Sequence, residues 1–190
     1  MKNLFYYSRV VSLVILISAI VLIVSYFPGH IFWWYRLGCI DFSSSIVLPS
    51  ISYITVLCFF ILIYVGSVKG SNLRTPTLIG IISVAVAICA LFISLPFYSE
   101  GMYVADMLIG LIASIGILWG FKGLSKYMSS KKLKVLCMTY SILNIVSYMG
   151  ILLAFRLYTL AYNSFWQILF IIQLCVLSVF YYAFSKNINN

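Results

Sequence analysis

Four polar residues lie inside long apolar stretches of the sequence and are its strongest candidates for chemistry: Asp106, Asn144, Arg156 and Gln173. A polar side chain in hydrocarbon costs free energy unless it pairs with another polar group, so such residues commonly form ion pairs, interhelical hydrogen bonds or ligand sites. A carboxylate and a guanidinium can bind a charged solute or join two helices, and two amides can bond to each other or to a polar ligand. Which of these applies depends on the elements that carry the four residues.

The sequence contains six apolar stretches, each close to the length of about 20 residues that a membrane-spanning helix needs. Of its 190 residues, 64% are hydrophobic and only 8% are charged, whereas about a quarter of the residues of a typical soluble domain are charged. We therefore expect an all-α integral membrane protein, with a single transmembrane domain of six helices over residues 1–190. The predicted spans are residues 10–27, 46–68, 77–98, 102–121, 133–160 and 165–184.

The segment from residue 122 to residue 134 sets the predicted orientation, because it contains five lysines and no acidic residue. Short loops rich in Lys and Arg stay cytoplasmic and interact with the anionic lipids of the inner leaflet. If this loop is cytoplasmic, both termini and ten of the twelve Lys and Arg residues are cytoplasmic too. The acidic residues then all lie at the outer face: Asp41, Glu100 and Asp106. This pattern predicts a multi-pass protein of the plasma membrane or the bacterial inner membrane.

An ion pair is expected between Asp106, which lies four residues into the fourth span, and Arg156, which lies four residues from the end of the fifth. At a rise of 1.5 Å per residue, both lie roughly 6 Å below the outer boundary. The pair could hold the fourth and fifth helices in register, which is the interpretation we prefer. Alternatively, it could line an outward-facing cavity together with Arg36, Asp41 and Glu100.

Asn144 and Gln173 lie near the midpoints of the fifth and sixth spans, where water is not available to their amides. We expect them to hydrogen-bond to each other, a contact worth about 1 kcal/mol or less. Alternatively, they converge on a polar ligand near the middle of the membrane, as in transporters. Ser141, Ser147 and Tyr148 flank Asn144, and a serine can also be satisfied by the backbone of its own helix.

Two predicted spans carry continuous faces of small residues, which let helix backbones approach each other closely in lipid. The face of the third span consists of Gly80, Ser83, Ala87, Ala90 and Ser94. The face of the fourth span includes Ala113, Gly116 and Gly120. Because the turn between the two spans is only a few residues long, we expect these faces to pack against each other.

Local signals predict where three of the helices begin. Thr75 followed by Pro76 is typical of a helix N-terminus, because a proline at the first helical position loses no hydrogen bond. Pro49 could start the second helix in the same way. Ser164 with Gln167 three residues later has the spacing of a capping box for the sixth helix.

The sequence lacks the sets of residues that enzymes and metal sites use. His30 is the only histidine, the five cysteines form no Cys-x-x-Cys pair, and no catalytic or cofactor-binding motif is present. We therefore expect no catalytic residue, no metal and no cofactor. The net charge is +9, but the cations lie in loops between apolar stretches rather than in a basic patch, so nucleic acid is not an expected partner.

Three functions are consistent with these observations, and we expect the first. A non-enzymatic multi-pass membrane protein would act as a partner-binding or accessory subunit, with a protein partner within the membrane. A small-solute binding or transport subunit would use a polar site between the fourth, fifth and sixth helices. A membrane-embedded enzyme would need an outward-facing site.

Overall fold

Six α-helices and no strand make up the part of the chain that the computed structural model describes. Its backbone is described for residues 2–29, 39–67, 71–93, 100–128, 130–154 and 160–188, and its side chains for residues 6–21, 50–67, 71–90, 105, 107–128, 130–150 and 168–186. The helices are α1 (Lys2–Gly29), α2 (Cys39–Gly66), α3 (Arg74–Ile93), α4 (Glu100–Ser125), α5 (Lys131–Ala154) and α6 (Leu160–Ile188).

Three of these helices contain described stretches that are long and apolar enough to cross a membrane: Met107–Ser125, Lys131–Gly150 and Ile168–Lys186. The described apolar stretches of the other three helices are shorter, at 10–17 residues: Tyr6–Val21, Ser50–Gly66 and Arg74–Ala90. The all-helical fold with six helices agrees with the sequence prediction. A helix satisfies all its own interior backbone hydrogen bonds, so it is the secondary structure that long apolar segments adopt in lipid.

Two of the predicted helix starts are wrong and one is displaced. The helix α6 begins at Leu160, so Ser164 lies inside it, and α2 begins at Cys39, so Pro49 lies inside that helix. The helix α3 begins at Arg74, which places Pro76 in the first turn, where its missing N–H still costs no hydrogen bond.

The helices form a closed ring. From α2 to α6, each helix packs against the next one in sequence. The ring is closed by α1, which packs mainly against α6 and makes only a small contact with α2. Ser12 Oγ of α1 donates to the carbonyl oxygen of Ser178 in α6 at 3.0 Å, and Ser178 Oγ donates to the carbonyl oxygen of Ser12 at 2.9 Å. These reciprocal bonds bring the two helices close together, because serine is small and leaves the backbones accessible.

The contact between α3 and α4 is built from the small residues that the sequence singled out. A Cβ atom added to Gly120 would lie 3.0 Å from Gly80 Cα and 3.1 Å from the carbonyl oxygen of Pro76. One added to Gly116 would overlap Ser83. The backbones of the two helices therefore pass each other with no room for larger side chains.

The other members of the two small faces are partly described. Ala87, Ala90 and Ala113 are buried, at 0%, 6% and 2% exposure. The side chain of Ser94, the last residue of the α3 face, lies outside the described residues.

A cluster of aromatic side chains, which we call the aromatic cluster, fills the bundle near the end that carries the lysine-rich segment. Its members are Phe59 and Phe60 of α2, Phe121 of α4, and Phe180, Tyr181 and Phe184 of α6. The ring of Phe59 is at the centre. Its centroid lies 5.1 Å from the ring centroid of Phe184, 5.4 Å from that of Phe180 and 6.2 Å from that of Phe121. The first two pairs are edge-to-face and the third is stacked, and each such contact adds about 0.5–1.5 kcal/mol to the burial of the rings.

Large apolar side chains cover the outside of the bundle. Leu13 of α1 is 61% exposed, Ile112 of α4 is 68% exposed and Val179 of α6 is 51% exposed. The described charged residues instead lie near helix ends, as Lys122, Lys131 and Lys186 do. The outer surface is thus apolar around the middle of the helices and charged toward one end.

Candidate functional site

Asn144 is the centre of a hydrogen-bond network inside the bundle. Its side-chain oxygen Oδ1 accepts a hydrogen bond from Gln173 Nε2 of α6 at 2.9 Å. The same oxygen accepts from the hydroxyl of Tyr53 in α2 at 3.1 Å. Asn144 itself is on α5 and is only 2% exposed. One amide therefore joins three helices: α5, the next helix α6, and α2, which is not adjacent to either of them in sequence.

The hydroxyl of Tyr53 has a second acceptor in the hydroxyl oxygen of Tyr148, at 3.0 Å. A phenolic hydroxyl carries a single hydrogen, so Tyr53 donates to either Asn144 or Tyr148 at one time. The ring of Tyr148 lies directly over Gly110 of α4, where a Cβ atom would overlap it. Gly110 therefore provides the space that lets Tyr148 point into the bundle.

The hydroxyl groups of the serines around the network have hydrogen-bond partners, with one exception. Ser114 Oγ donates to the carbonyl oxygen of Gly110 at 2.8 Å, and Ser141 Oγ donates to that of Cys137 at 2.8 Å. Ser52 of α2 lies 3.1 Å from the hydroxyl of Tyr140. The exception is Ser147, discussed below. We call the network and the polar groups next to it the polar core, and its members are Ser52, Tyr53, Ser114, Tyr140, Asn144, Ser147, Tyr148 and Gln173.

Two polar atoms of α5 are buried without a hydrogen-bond partner among the described residues: Asn144 Nδ2 and Ser147 Oγ. Their residues are 2% and 3% exposed. A buried donor without a partner costs about 1–3 kcal/mol, and the two residues are three positions apart on one face of the helix. In this arrangement Asn144 Oδ1 faces both Tyr53 and Gln173, so the NH2 group of the same amide bonds to neither of them. The polar core thus has hydrogen-bond donors that no group among the described residues receives.

The polar core contains no acidic or basic side chain among the residues that the structure describes. Within the same residues, no group of three or more His, Cys, Asp or Glu side chains is placed to hold a metal ion. Its electrostatic character comes from amide and hydroxyl dipoles alone. Such a set of groups can orient a polar molecule by hydrogen bonding without a compensating charge.

The residues predicted from sequence are only partly brought together here. Asn144 and Gln173 are bonded to each other, as the matching depth of the two amides suggested. Arg36 and Arg156 lie outside the described residues.

The three predicted acidic residues are in helices, but their side chains are not described: Asp41, Glu100 and Asp106. The Asp106–Arg156 ion pair and the outward-facing cavity therefore stay predictions.

Sequence reasoning missed the contribution of α2, namely Ser52 and Tyr53. Tyrosine is frequent in this chain, with 15 occurrences, so a single one near the middle of a span carried no signal. A signal was present on α5, where Tyr140, Asn144 and Tyr148 recur every four residues and so share one helix face. A polar face in an otherwise apolar helix indicates an interior contact.

Comparison of the chain with protein-family models, with curated proteins and with solved structures finds no match.

Proposed function

We propose that the chain is a multi-pass membrane protein that crosses the plasma membrane or the bacterial inner membrane six times, with both termini in the cytoplasm. The apolar outer surface supports this, since a soluble monomer rarely exposes so many large apolar side chains together. Trp119 and Tyr127 are 65% and 51% exposed and lie on either side of Lys122 in sequence. Aromatic and basic residues at one level of a bundle are typical of the membrane boundary, next to anionic lipid headgroups.

The proposed orientation predicts which positions a membrane-impermeant thiol reagent can reach. In a variant without the five native cysteines, Glu100→Cys should be labelled from outside intact cells, because residue 100 is the first residue of α4, at the proposed outer face. Lys131→Cys, at the start of α5, should be labelled only after the membrane is permeabilised. Labelling of the second variant in intact cells would reverse the proposed orientation.

Within this framework, the function that the geometry supports best is non-enzymatic binding or transport of a small solute by the polar core between α2, α4, α5 and α6. The observation that carries it is the buried NH2 group of Asn144, which has no partner among the described residues. A purely structural amide pair would leave both amides satisfied, whereas this NH2 group still needs an acceptor, which a bound solute can supply. The accessory-subunit function has no comparable observation in its favour.

The aromatic cluster defines a closed side for such a site. It lies between the polar core and the end of the bundle with the lysine-rich segment, and Phe59, Phe121 and Phe180 are all 0% exposed. The phenylalanine rings carry no polar groups, and the hydroxyl of Tyr181 already donates to the carbonyl oxygen of Thr55 at 2.9 Å. The cluster therefore gives a solute no open hydrogen-bonding partner on the way to that end of the bundle. In the proposed orientation, the solute would therefore reach the polar core from the outer side of the membrane.

The proposed binding can be tested on protein extracted from its own membrane in a mild detergent. Native mass spectrometry should find a non-lipid small molecule bound in about one copy, and exhaustive dialysis should remove it and lower the unfolding temperature. Adding the dialysate back should restore that temperature, because a ligand that binds only the folded state stabilises it. A stoichiometric polypeptide in place of the small molecule, or neither, would contradict the proposal and favour an accessory subunit.

A further inference from the structure

The atoms left open in the polar core are hydrogen-bond donors. An amide NH2 group can donate twice and cannot accept, and Asn144 Oδ1 already accepts from Tyr53 and Gln173. Ser147 Oγ can donate as well and is 3% exposed. A ligand that completes the network must therefore present an acceptor to this face of α5.

The same atoms decide the charge of the ligand. A cation needs oxygen ligands, but the NH2 group of Asn144 would repel it. An anion would meet suitable donors, but its charge would be buried with no cationic side chain among the described residues of the polar core. An uncharged acceptor avoids both penalties.

Resting on the proposed solute-binding function, we infer that the solute is a small uncharged molecule whose carbonyl oxygen accepts hydrogen bonds from Asn144 Nδ2 and Ser147 Oγ. Side chains three positions apart on a helix have Cβ atoms about 5–6 Å apart, so one oxygen can lie within bonding distance of both donors. A carbonyl oxygen has two lone pairs for the two bonds. The inference names a chemical class that includes amides, ketones and esters.

Three probes of nearly equal size separate the classes: acetamide, acetate and ethylammonium. Molecules of only three or four non-hydrogen atoms bind weakly at best, so each is added at about 100 mM with the ionic strength held constant. Acetamide should raise the unfolding temperature of the dialysed protein, and the two ions should not. A larger rise with either ion would overturn the uncharged class while leaving solute binding intact.

Two serines of α5 provide a matched pair of variants. Ser147→Ala should leave the ligand-free protein as stable as before or slightly more stable, because it removes a buried hydroxyl that has no partner among the described residues. It should weaken acetamide binding about three- to tenfold, the effect of losing one hydrogen bond. Ser141→Ala should leave acetamide binding unchanged, because that hydroxyl donates to the backbone of its own helix.

Equal acetamide affinity in the two variants would overturn the placement of the carbonyl oxygen. If none of the three probes stabilises the protein, the open donors are satisfied by water and the inferred class is wrong. Native mass spectrometry then decides the proposed function separately, because it detects a bound molecule of any class.

Discussion

Replacing Asn144 with leucine should destabilise the bundle by about 1–3 kcal/mol, because two accepted hydrogen bonds are lost while the unpaired NH2 group is removed as well. Leucine is similar in size, so the loss comes from hydrogen bonding rather than from packing. It would leave the hydroxyl of Tyr53 with one acceptor fewer and Gln173 Nε2 with none among the described residues. Each buried donor without an acceptor costs about 1–3 kcal/mol. Unfolding in mixed detergent micelles measures the change.

Gln173→Leu is the matched comparison for this substitution. It removes one donor but leaves Asn144 Oδ1 bonded to Tyr53, so its cost should be clearly smaller. The double variant should lose less stability than the sum of the losses in the two single variants, because Gln173 Nε2 cannot lose the same acceptor twice. Equal effects of the two single substitutions, with simple additivity, would mean that the network does not depend on Asn144.

Replacing Gly120 with leucine should force α3 and α4 apart and cost about 1–3 kcal/mol, the usual range for overpacking. The backbone atoms that would collide with the new side chain cannot rotate away, since the nearest is Gly80 Cα at 3.0 Å from the added Cβ. The unfolding temperature should fall. Expression in the membrane should fall with it, because a destabilised bundle is degraded more readily.

Gly150→Leu is the control for this second prediction. A Cβ atom at Gly150 has nothing within 4 Å, and leucine is a better helix former than glycine by somewhat less than about 1 kcal/mol. This variant should be as stable as the parent protein or slightly more stable. If both glycine variants lose stability equally, close packing between α3 and α4 is not the cause.

The features that the sequence predicted are those that lipid dictates residue by residue. Long apolar stretches must become helices, an amide in the middle of a span must find a partner, and glycines at intervals of four mark a close contact. Asn144 with Gln173 and Gly120 with Gly80 are of this kind. Each could be predicted from position along a helix alone.

Other features depend on which helices become neighbours, and periodicity does not contain that information. Tyr53 joins the polar core because α2 faces α5 across the bundle, and the sequence of α2 does not distinguish α5 from the four other helices. The sequence did not predict the start of α6 at Leu160. Ser164 resembles a helix cap, but it can act as one only where the residues before it are not helical. Here they are helical, so the capping box had no orphan N–H groups to satisfy.

The closure of the ring by α1 and α6 has a consequence for how the protein is made. The bonds between Ser12 and Ser178 span 166 residues of chain, which a ribosome translates in about 8–33 s at 5–20 residues per second. During that interval α3, α4 and α5 can each pack against the preceding helix, while Ser12 of α1 lacks its partner on α6. A nascent chain that stops before α6 would expose Ser12 to lipid or to neighbouring proteins. Membrane chaperones and proteases that survey newly inserted helices should therefore discriminate finished copies from truncated ones mainly through α1.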